Sequence, residues 1–239
     1  MQGQVFLIQE RDSSKYLAAK IYETTDEEKI VSIKNEAQIL AVLSHPNIVQ
    51  FKRFYCQEKE GLFIIVTEYF PSVSLETWIL TKSLSDAEKM DITRFLINVV
   101  LYLQENNITH GDFNLSNILI NPETLQIKLI DFGLSKHFLV GNANMQSPKG
   151  FLIYRPPLQL EMFYQSDLYD LWGLGLVLMS VFLGRNVCSK SLMKFMEESA
   201  SEIEGNNKIC QYICEILLQK RKIENGAIDV LKNISRRFC

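Results

Sequence analysis

The stretch Ile108-Thr-His-Gly-Asp-Phe-Asn-Leu-Ser-Asn-Ile-Leu-Ile120, followed by Ile130-Asp-Phe-Gly133, decides how this chain is read. Asp112, Asn117 and Asp131, all bearing oxygen ligands, fall on loops beside short apolar runs. One carboxylate in such a set orients a hydroxyl and accepts its proton. An amide oxygen and a second carboxylate hold Mg²⁺ against nucleotide phosphates, because hard cations prefer oxygen ligands. Little covalent chemistry is then asked of the protein, and the set points to phosphoryl transfer.

The spacing resembles the protein kinase signature H-R-D-x-x-x-x-N followed by D-F-G, written here HGDFNLSN and DFG. Upstream, Lys15-Tyr-Leu-Ala-Ala-Lys-Ile-Tyr22 reads as an apolar strand carrying a basic residue, and it matches the family's V-A-I-K pattern at Lys20. Glu36 lies in the helical-looking segment from Ile33 to Leu43, where the family places the αC glutamate that pairs with that lysine. Ala37, Leu40, Ala41 and Leu43 approximate an amphipathic stripe beside which Glu36 points inward. The next residues, Ser44-His-Pro-Asn-Ile-Val49, look like the family's αC–β4 linker. Pro46 ends the helix there, and His45 is structural.

Short β-like runs (Val5 to Gln9, Tyr16 to Tyr22, Val49 to Cys56, Leu62 to Val66) and one helix occupy the first part, and later residues read as mainly helical. Ile92 to Leu103 has helical spacing and leads into the HGD loop. The resemblance implies an α+β, bilobal protein-kinase-like fold with a small β-rich N-lobe and a larger, mainly helical C-lobe. One domain would span 1–239, divided into an N-lobe of 1–67, a hinge of 68–71 and a C-lobe of 72–239. Gly150 to Leu158 resembles the end of an activation segment. Asp170-Leu-Trp-Gly-Leu-Gly175 resembles the start of αF, where Asp170, opening the helix, would brace the catalytic-loop backbone or serve only as an N-cap.

The resemblance also implies roles. Asp112 would be the catalytic base, and Lys20, held by Glu36, would pair the α- and β-phosphates. Asn117 and Asp131 would hold Mg²⁺. Val5, Ala18, Lys20, Leu119 and Asp131 would line the ATP site with Thr67 as gatekeeper, and the backbone from Glu68 to Phe70 would bind adenine before the break at Pro71. The acceptor would be a Ser or Thr hydroxyl of a protein.

Composition narrows the partners. The chain has 239 residues, 47% hydrophobic, with formal charge −3. With 25 Lys+Arg against 28 Asp+Glu, no basic footprint for nucleic acid is apparent. The longest apolar stretch, Leu171 to Leu183, is shorter than the about 20 residues a membrane-spanning helix needs, so it reads as a buried core helix. No secretory signal is apparent at the N-terminus. The 5 cysteines lack a metal-like CxxC, and Cys210 and Cys214 share a helix face in a way that suits packing. A reducing compartment follows, the cytoplasm or alternatively the nucleus. Oligomeric state is left open.

The departures from the family pattern are as informative. Gly3-Gln-Val5 precedes Lys20 by the interval that separates the family's third loop glycine from its lysine, so the first two glycines would lie before Met1. An upstream extension would restore them. Gly111 replaces the arginine of H-R-D, which argues against activation-loop phosphorylation as the switch, although Ser135 and Ser147 remain candidate modification sites. Asn114 takes the place of the lysine that neutralises the transferring phosphoryl group, and Phe151 takes that of its threonine partner. Leu158 replaces the glutamate of A-P-E, and 217–226 offers no clear arginine for it. Three readings follow: a Ser/Thr protein kinase, a pseudokinase acting as a binding module, and a small-molecule kinase of the aminoglycoside or choline type, whose loop is also H-G-D. The linker, the interval from Asp131 to Pro157 and the DLWGLG helix favour a peptide acceptor over the third.

Overall fold

The computed structural model describes residues 3–11, 13–137 and 166–187, with side chains from 169 in the last segment. The expectations placed on 150–158, Ser147, 217–226 and Cys188, Cys210, Cys214 and Cys239 lie outside the described residues.

Four strands, β1 (Gln4–Gln9), β2 (Tyr16–Glu23), β3 (Phe51–Gln57) and β4 (Leu62–Glu68), form an antiparallel sheet in the order β1-β2-β4-β3. The register sets Val5 opposite Lys20 and Leu7 opposite Ala18, and on the other side Lys20 opposite Ile65 and Ala18 opposite Thr67. Directly opposed residues share a face, and side chains alternate along a strand, so Val5, Leu7, Ala18, Lys20 and Tyr22 project from one side of the sheet.

Helix α1 (Glu27–Val42) starts well before Ile33. Its first turns carry Glu27, Glu28 and Lys29, all exposed, so apolar periodicity is silent there. The start is set instead by Asp26, whose carboxylate accepts from the Lys29 amide at 3.2 Å. Its buried face is Ile33, Glu36, Ala37, Ile39 and Leu40, of which the apolar four join Phe63 and Ile65 of β4 in the core. Ala41, placed in the stripe from sequence, is exposed, and Ile33 and Ile39 do the packing. The linker after α1 is tied to the lower part of the molecule. The Ser44 amide donates to the Tyr102 hydroxyl at 2.8 Å, the His45 ring packs against the Tyr102 ring, and Asn47 Nδ2 donates to the Ile127 carbonyl at 3.0 Å.

Beyond β4 come a short strand β5 (Val73–Ser74), helix α2 (Leu75–Thr81) and the long helix α3 (Asp86–Glu105). A capping box starts α3: the Ser85 hydroxyl accepts from the Glu88 amide, and the Glu88 carboxylate accepts from the Ser85 amide at 2.8 Å. Ile92, Leu96, Ile97, Val99, Val100 and Leu103 form its buried face. They pack in the same core as Trp172, Leu176 and Val177 of α4 (Ser166–Leu183), the apolar run expected to be a core helix. Among the described residues no helix is long and apolar enough to cross a membrane.

Four further short strands were not visible as periodicity. Strand β6 (Ile108–Thr109) pairs with β9 (Lys136–His137), and β7 (Ile118–Ile120) pairs with both β5 and β8 (Ile127–Leu129), all antiparallel. Two or three residues cannot express a period of two. These pairings hold the loop from His110 to Asn117 beside the turn Asp131–Gly133, which is how the signature residues come to share one region.

Because α3 anchors β6 and the loop after it, its cap matters to the whole. Ser85→Ala should lower stability by about 1 kcal/mol, the usual cost of losing an N-cap hydroxyl. The thermal midpoint should fall by a few degrees with helical circular dichroism unchanged below it.

Candidate active site

Lys20 Nζ donates to Glu36 Oε1 at 2.9 Å and to Asp131 Oδ1 at 2.6 Å. One ammonium therefore joins the sheet, helix α1 and the turn after β8. Glu36 is only 2% exposed, which is tolerable for a carboxylate because it is paired. Burial alone would lower the Lys20 pKa, but the charges of Glu36 and Asp131 prevail and hold it above its ordinary value. Burial would raise Asp131; the ammonium of Lys20 outweighs it, and the carboxyl stays below its usual range. Lys20 and Asp131 are thus both ionised near neutrality. Asp131 itself sits at φ 62, a strained backbone for a non-glycine residue.

The catalytic-loop segment is fixed from beneath. Asp170 is 2% exposed, and its carboxylate accepts from the amides of His110 at 2.6 Å and Gly111 at 2.9 Å. It lies about one turn inside α4, not at the helix start, so its oxygens serve the loop and not its own helix. Burial pushes its carboxyl pKa upward against the pull of those donors. The fully buried His110 places Nε2 3.0 Å from the Ile130 carbonyl, and Nδ1 accepts from the Asp112 amide at 3.3 Å. That pair of contacts selects the tautomer with the proton on Nε2. Gly111 has φ +79, and a Cβ there would lie 2.7 Å from the Leu134 carbonyl oxygen. The residue that displaces the family's arginine is thus also the one the local backbone favours.

Asn117 Nδ2 donates to the Asp112 carbonyl at 2.9 Å and to Asp112 Oδ2 at 2.8 Å. The amide nitrogen orients the carboxylate, and Oδ1 of Asn117 is an oxygen that could hold a cation. Asn117 Oδ1 and the Asp131 carboxylate form an oxygen donor pair of the kind Mg²⁺ uses together with phosphate oxygens and water. Among the described residues there is no group of ≥ 3 His, Cys, Asp or Glu that could hold a metal by itself.

Asn114 is 2% exposed. Its Oδ1 accepts from the amides of Ser116 at 2.9 Å and Asn117 at 3.1 Å, and its Nδ2 donates to the Asp112 carbonyl at 3.1 Å. It caps the 3-10 turn Leu115–Asn117 from within the loop and presents no polar group outward.

Lys20, Glu36, Asp112 and Asp131 line one cavity of about 740 Å³, together with Gly133 and Tyr22. Val5, Ala18, Thr67, Glu68, Phe70, Leu119 and Asn117 are not among its lining residues. Val5 and Ala18 lie on the same sheet face as Lys20, with Val5 65% exposed. Thr67 is half-buried opposite Ala18, and Leu119 is half-buried in β7. The Glu68 amide donates to the Gln50 carbonyl at 2.9 Å, and its carboxylate accepts from the Gln50 amide and from Lys128. The Glu68 carbonyl accepts from the Thr67 hydroxyl at 3.3 Å and, with two lone pairs, keeps one further acceptor site. The Phe70 carbonyl accepts from the Ser72 hydroxyl at 2.8 Å, which leaves the Phe70 amide as the donor there.

Sequence reasoning missed three residues on this site. The Tyr22 hydroxyl donates to Glu36 Oε2 at 2.6 Å, the Ser32 hydroxyl donates to the Gly133 carbonyl at 3.1 Å, and Asn35 Nδ2 donates to the Ser135 carbonyl at 2.8 Å. Only Tyr22 left a usable signal, its position two residues beyond Lys20 on a strand. Ser135, read as a candidate modification site, is 1% exposed and its hydroxyl donates to the His110 carbonyl at 3.0 Å, so this arrangement does not offer it to an enzyme.

The ionic triad predicts an unusual pH response. A carboxyl held low contributes stability above about pH 4 and loses it only in acid, and a lysine held high contributes below about pH 10 and loses it only in alkali. The Lys20–Asp131 pair is therefore silent between those limits. Lys20→Ala leaves Asp131 without its cation, so burial raises that carboxyl and the folded state takes up a proton more readily. The variant should be destabilised at pH 7 by about 2–3 kcal/mol, less than the roughly 3–5 kcal/mol of a fully buried pair, because Lys20 and Asp131 keep 18% and 30% side-chain exposure. Thermal midpoints should show that deficit shrinking between pH 7 and pH 5; a constant deficit would contradict this account.

Comparison with known proteins agrees with this geometry. The family described as "Protein kinase domain" matches residues 1–237. A protein of Enterocytozoon bieneusi named "Probable serine/threonine-protein kinase KIN1 homolog" is 28% identical over 225 residues, covering 93% of this chain and 35% of that protein. The serine/threonine-protein kinase ppk25 of Schizosaccharomyces pombe is 32% identical over 157 residues, covering 65% of this chain and 36% of its own length. This chain thus spans about a third of those relatives. A chain in the crystal structure of the yeast RNA Pol II CTD kinase CTDK-1 complex superposes with a TM-score of 0.69 at 23% identity, covering 82% of this chain and 66% of that one, a likeness of fold. With a family match over nearly its whole length and its signature residues gathered around one cleft, the chain belongs to the protein kinase family.

Proposed function

We propose that this chain transfers the γ-phosphoryl group of ATP, with Mg²⁺, to Ser or Thr hydroxyls of a protein. The observation that carries the reading is Lys20 bonded at once to Glu36 and Asp131, with Asp112 lining the same cavity. Lys20 pairs the α- and β-phosphates. Asn117 Oδ1 and Asp131 hold the cation, which supplies charge neutralisation on the phosphates when bound. Asp112, its Oδ2 fixed by the Asn117 amide, orients the acceptor hydroxyl and takes its proton through Oδ1. Val5, Ala18 and Leu119 pack the base, next to Thr67, and the Glu68 carbonyl and Phe70 amide face its polar edge. The lobes divide at the hinge 68–71. The acceptor protein is met in the cytoplasm or nucleus, in keeping with the charge balance and with the free Cys56.

One observation favours a second reading, a binding module that keeps the fold without efficient transfer. Asn114 is turned into the loop as a cap, so it supplies nothing to the developing phosphoryl charge. Losing one electrostatic contact of that kind costs about 10²-fold or more in rate.

The test is incorporation from γ-labelled ATP into generic protein substrates, comparing the chain with Asp112→Asn and Asp131→Asn. Transfer by the parent, reduced at least about 10²-fold in both variants, is expected. Mg-dependent thermal stabilisation by ATP, lost in Asp131→Asn, without transfer by the parent would select the binding module. Incorporation unchanged in both variants would overturn the assignment of this site.

A further inference from the structure

Tyr22 stands two residues beyond Lys20 on β2, so both side chains leave the same face of the sheet. Their polar ends converge on one carboxylate. The Tyr22 hydroxyl donates to Glu36 Oε2 at 2.6 Å, and Lys20 donates to Oε1 at 2.9 Å. Both oxygens of a nearly fully buried group are thereby engaged. Lys20 Nζ lies 5.3 Å from the Tyr22 ring centroid, and the ring sits so close to Gly3 that a Cβ there would come within 2.8 Å of its Cε1. Burial and the negative charge of Glu36 push the phenol well above its ordinary pKa, so it remains a donor throughout the neutral range.

We propose that Tyr22 is a positioning residue for nucleotide use, its hydroxyl holding Glu36 against Lys20 and its ring setting the floor beneath Gly3. The chemistry of sharing explains why this matters. Lys20 divides its donors between Glu36 and Asp131, and the Asp131 contact, at 2.6 Å, is the shorter. Without the phenol, Glu36 Oε2 is a buried acceptor lacking its donor, and the carboxylate gains by turning away. Lys20 then belongs to Asp131 alone, in competition with the Mg²⁺ that Asp131 is assigned to hold. The Tyr22 hydroxyl thus protects the cation site at one remove, through Glu36 and Lys20. The proposal rests on the nucleotide-binding part of the reading above.

The variant is Tyr22→Phe, which keeps the ring over Gly3 and removes only the donor. The primary readout is MgATP affinity by thermal shift across a Mg²⁺ series, which does not require turnover. An approximately tenfold weaker affinity, with a higher Mg²⁺ requirement, is expected. Where the parent also transfers phosphate, KM for ATP should rise by a similar factor. A double-mutant cycle with Glu36→Gln separates positioning from simple loss of packing: the Tyr22→Phe effect should largely vanish in the Glu36→Gln background. Affinity and Mg²⁺ requirement within twofold of the parent, or strict additivity in the cycle, would overturn the proposal, as would a parent that does not bind MgATP. A parent that binds but does not transfer fails the catalytic reading alone, and the affinity comparison still judges Tyr22.

Discussion

One ammonium group carries the arrangement of this site. Lys20 bonds to Glu36, 16 residues away, and to Asp131, 111 residues away, bringing charge to a seam that also holds the backbone bridge of Ile48 to Leu129. Two carboxylates brought near each other in a partly dry cleft repel, and a buried charge without a partner is costly. The sheet, helix α1 and the turn after β8 can meet in this way because the lysine sits between them. That is also the geometry phosphate binding needs: a cation facing the cleft, steadied by one carboxylate, beside a second carboxylate that can take a metal.

A second constraint works at right angles to the first. Asp170, on a helix otherwise lined by Leu171, Trp172, Leu174 and Leu176, pins the amides of His110 and Gly111. Hydrogen bonds to a charged acceptor contribute about 1.5–3 kcal/mol each, enough to hold Gly111 at its positive φ. His110 then links Asp112 to the Ile130 carbonyl, just before Asp131. Asp112 and Asp131 are therefore referenced to one buried helix, and Lys20 references Asp131 to the sheet.

Much of this was legible in the chain. The signature residues lie where loops between apolar runs must lie, and Lys20 and Glu36 could be placed from a strand and a helix whose patterns are distinct. What escaped has physical causes. The first turns of α1 are charged and exposed, so only the cap at Asp26 marks them. The strands β5 to β9 are two or three residues long, below any detectable period. Tyr22, Ser32 and Asn35 act through a single polar atom each, and one polar atom leaves no periodic trace. Asn114 could be seen to lack a charge, but its role as a cap depends on a loop geometry that residue type alone does not specify.

The two departures in the catalytic loop are coupled through that geometry. Where the family places an arginine that reads a distant phosphate, this chain has Gly111 packed against the Leu134 carbonyl. Helix α1 meets the same segment from the other side, through Ser32 to Gly133 and Asn35 to Ser135. The segment after Asp131 is thus fastened by neutral hydrogen bonds to elements already in place, and none of these bonds requires an added charge. Asn114 follows the same logic, spending its amide on the loop's own backbone and not on a substrate. At Gly111 and Asn114 short local bonds stand where the family pattern has long cationic side chains, and Lys20 is left as the cation that faces the cavity beside Asp131.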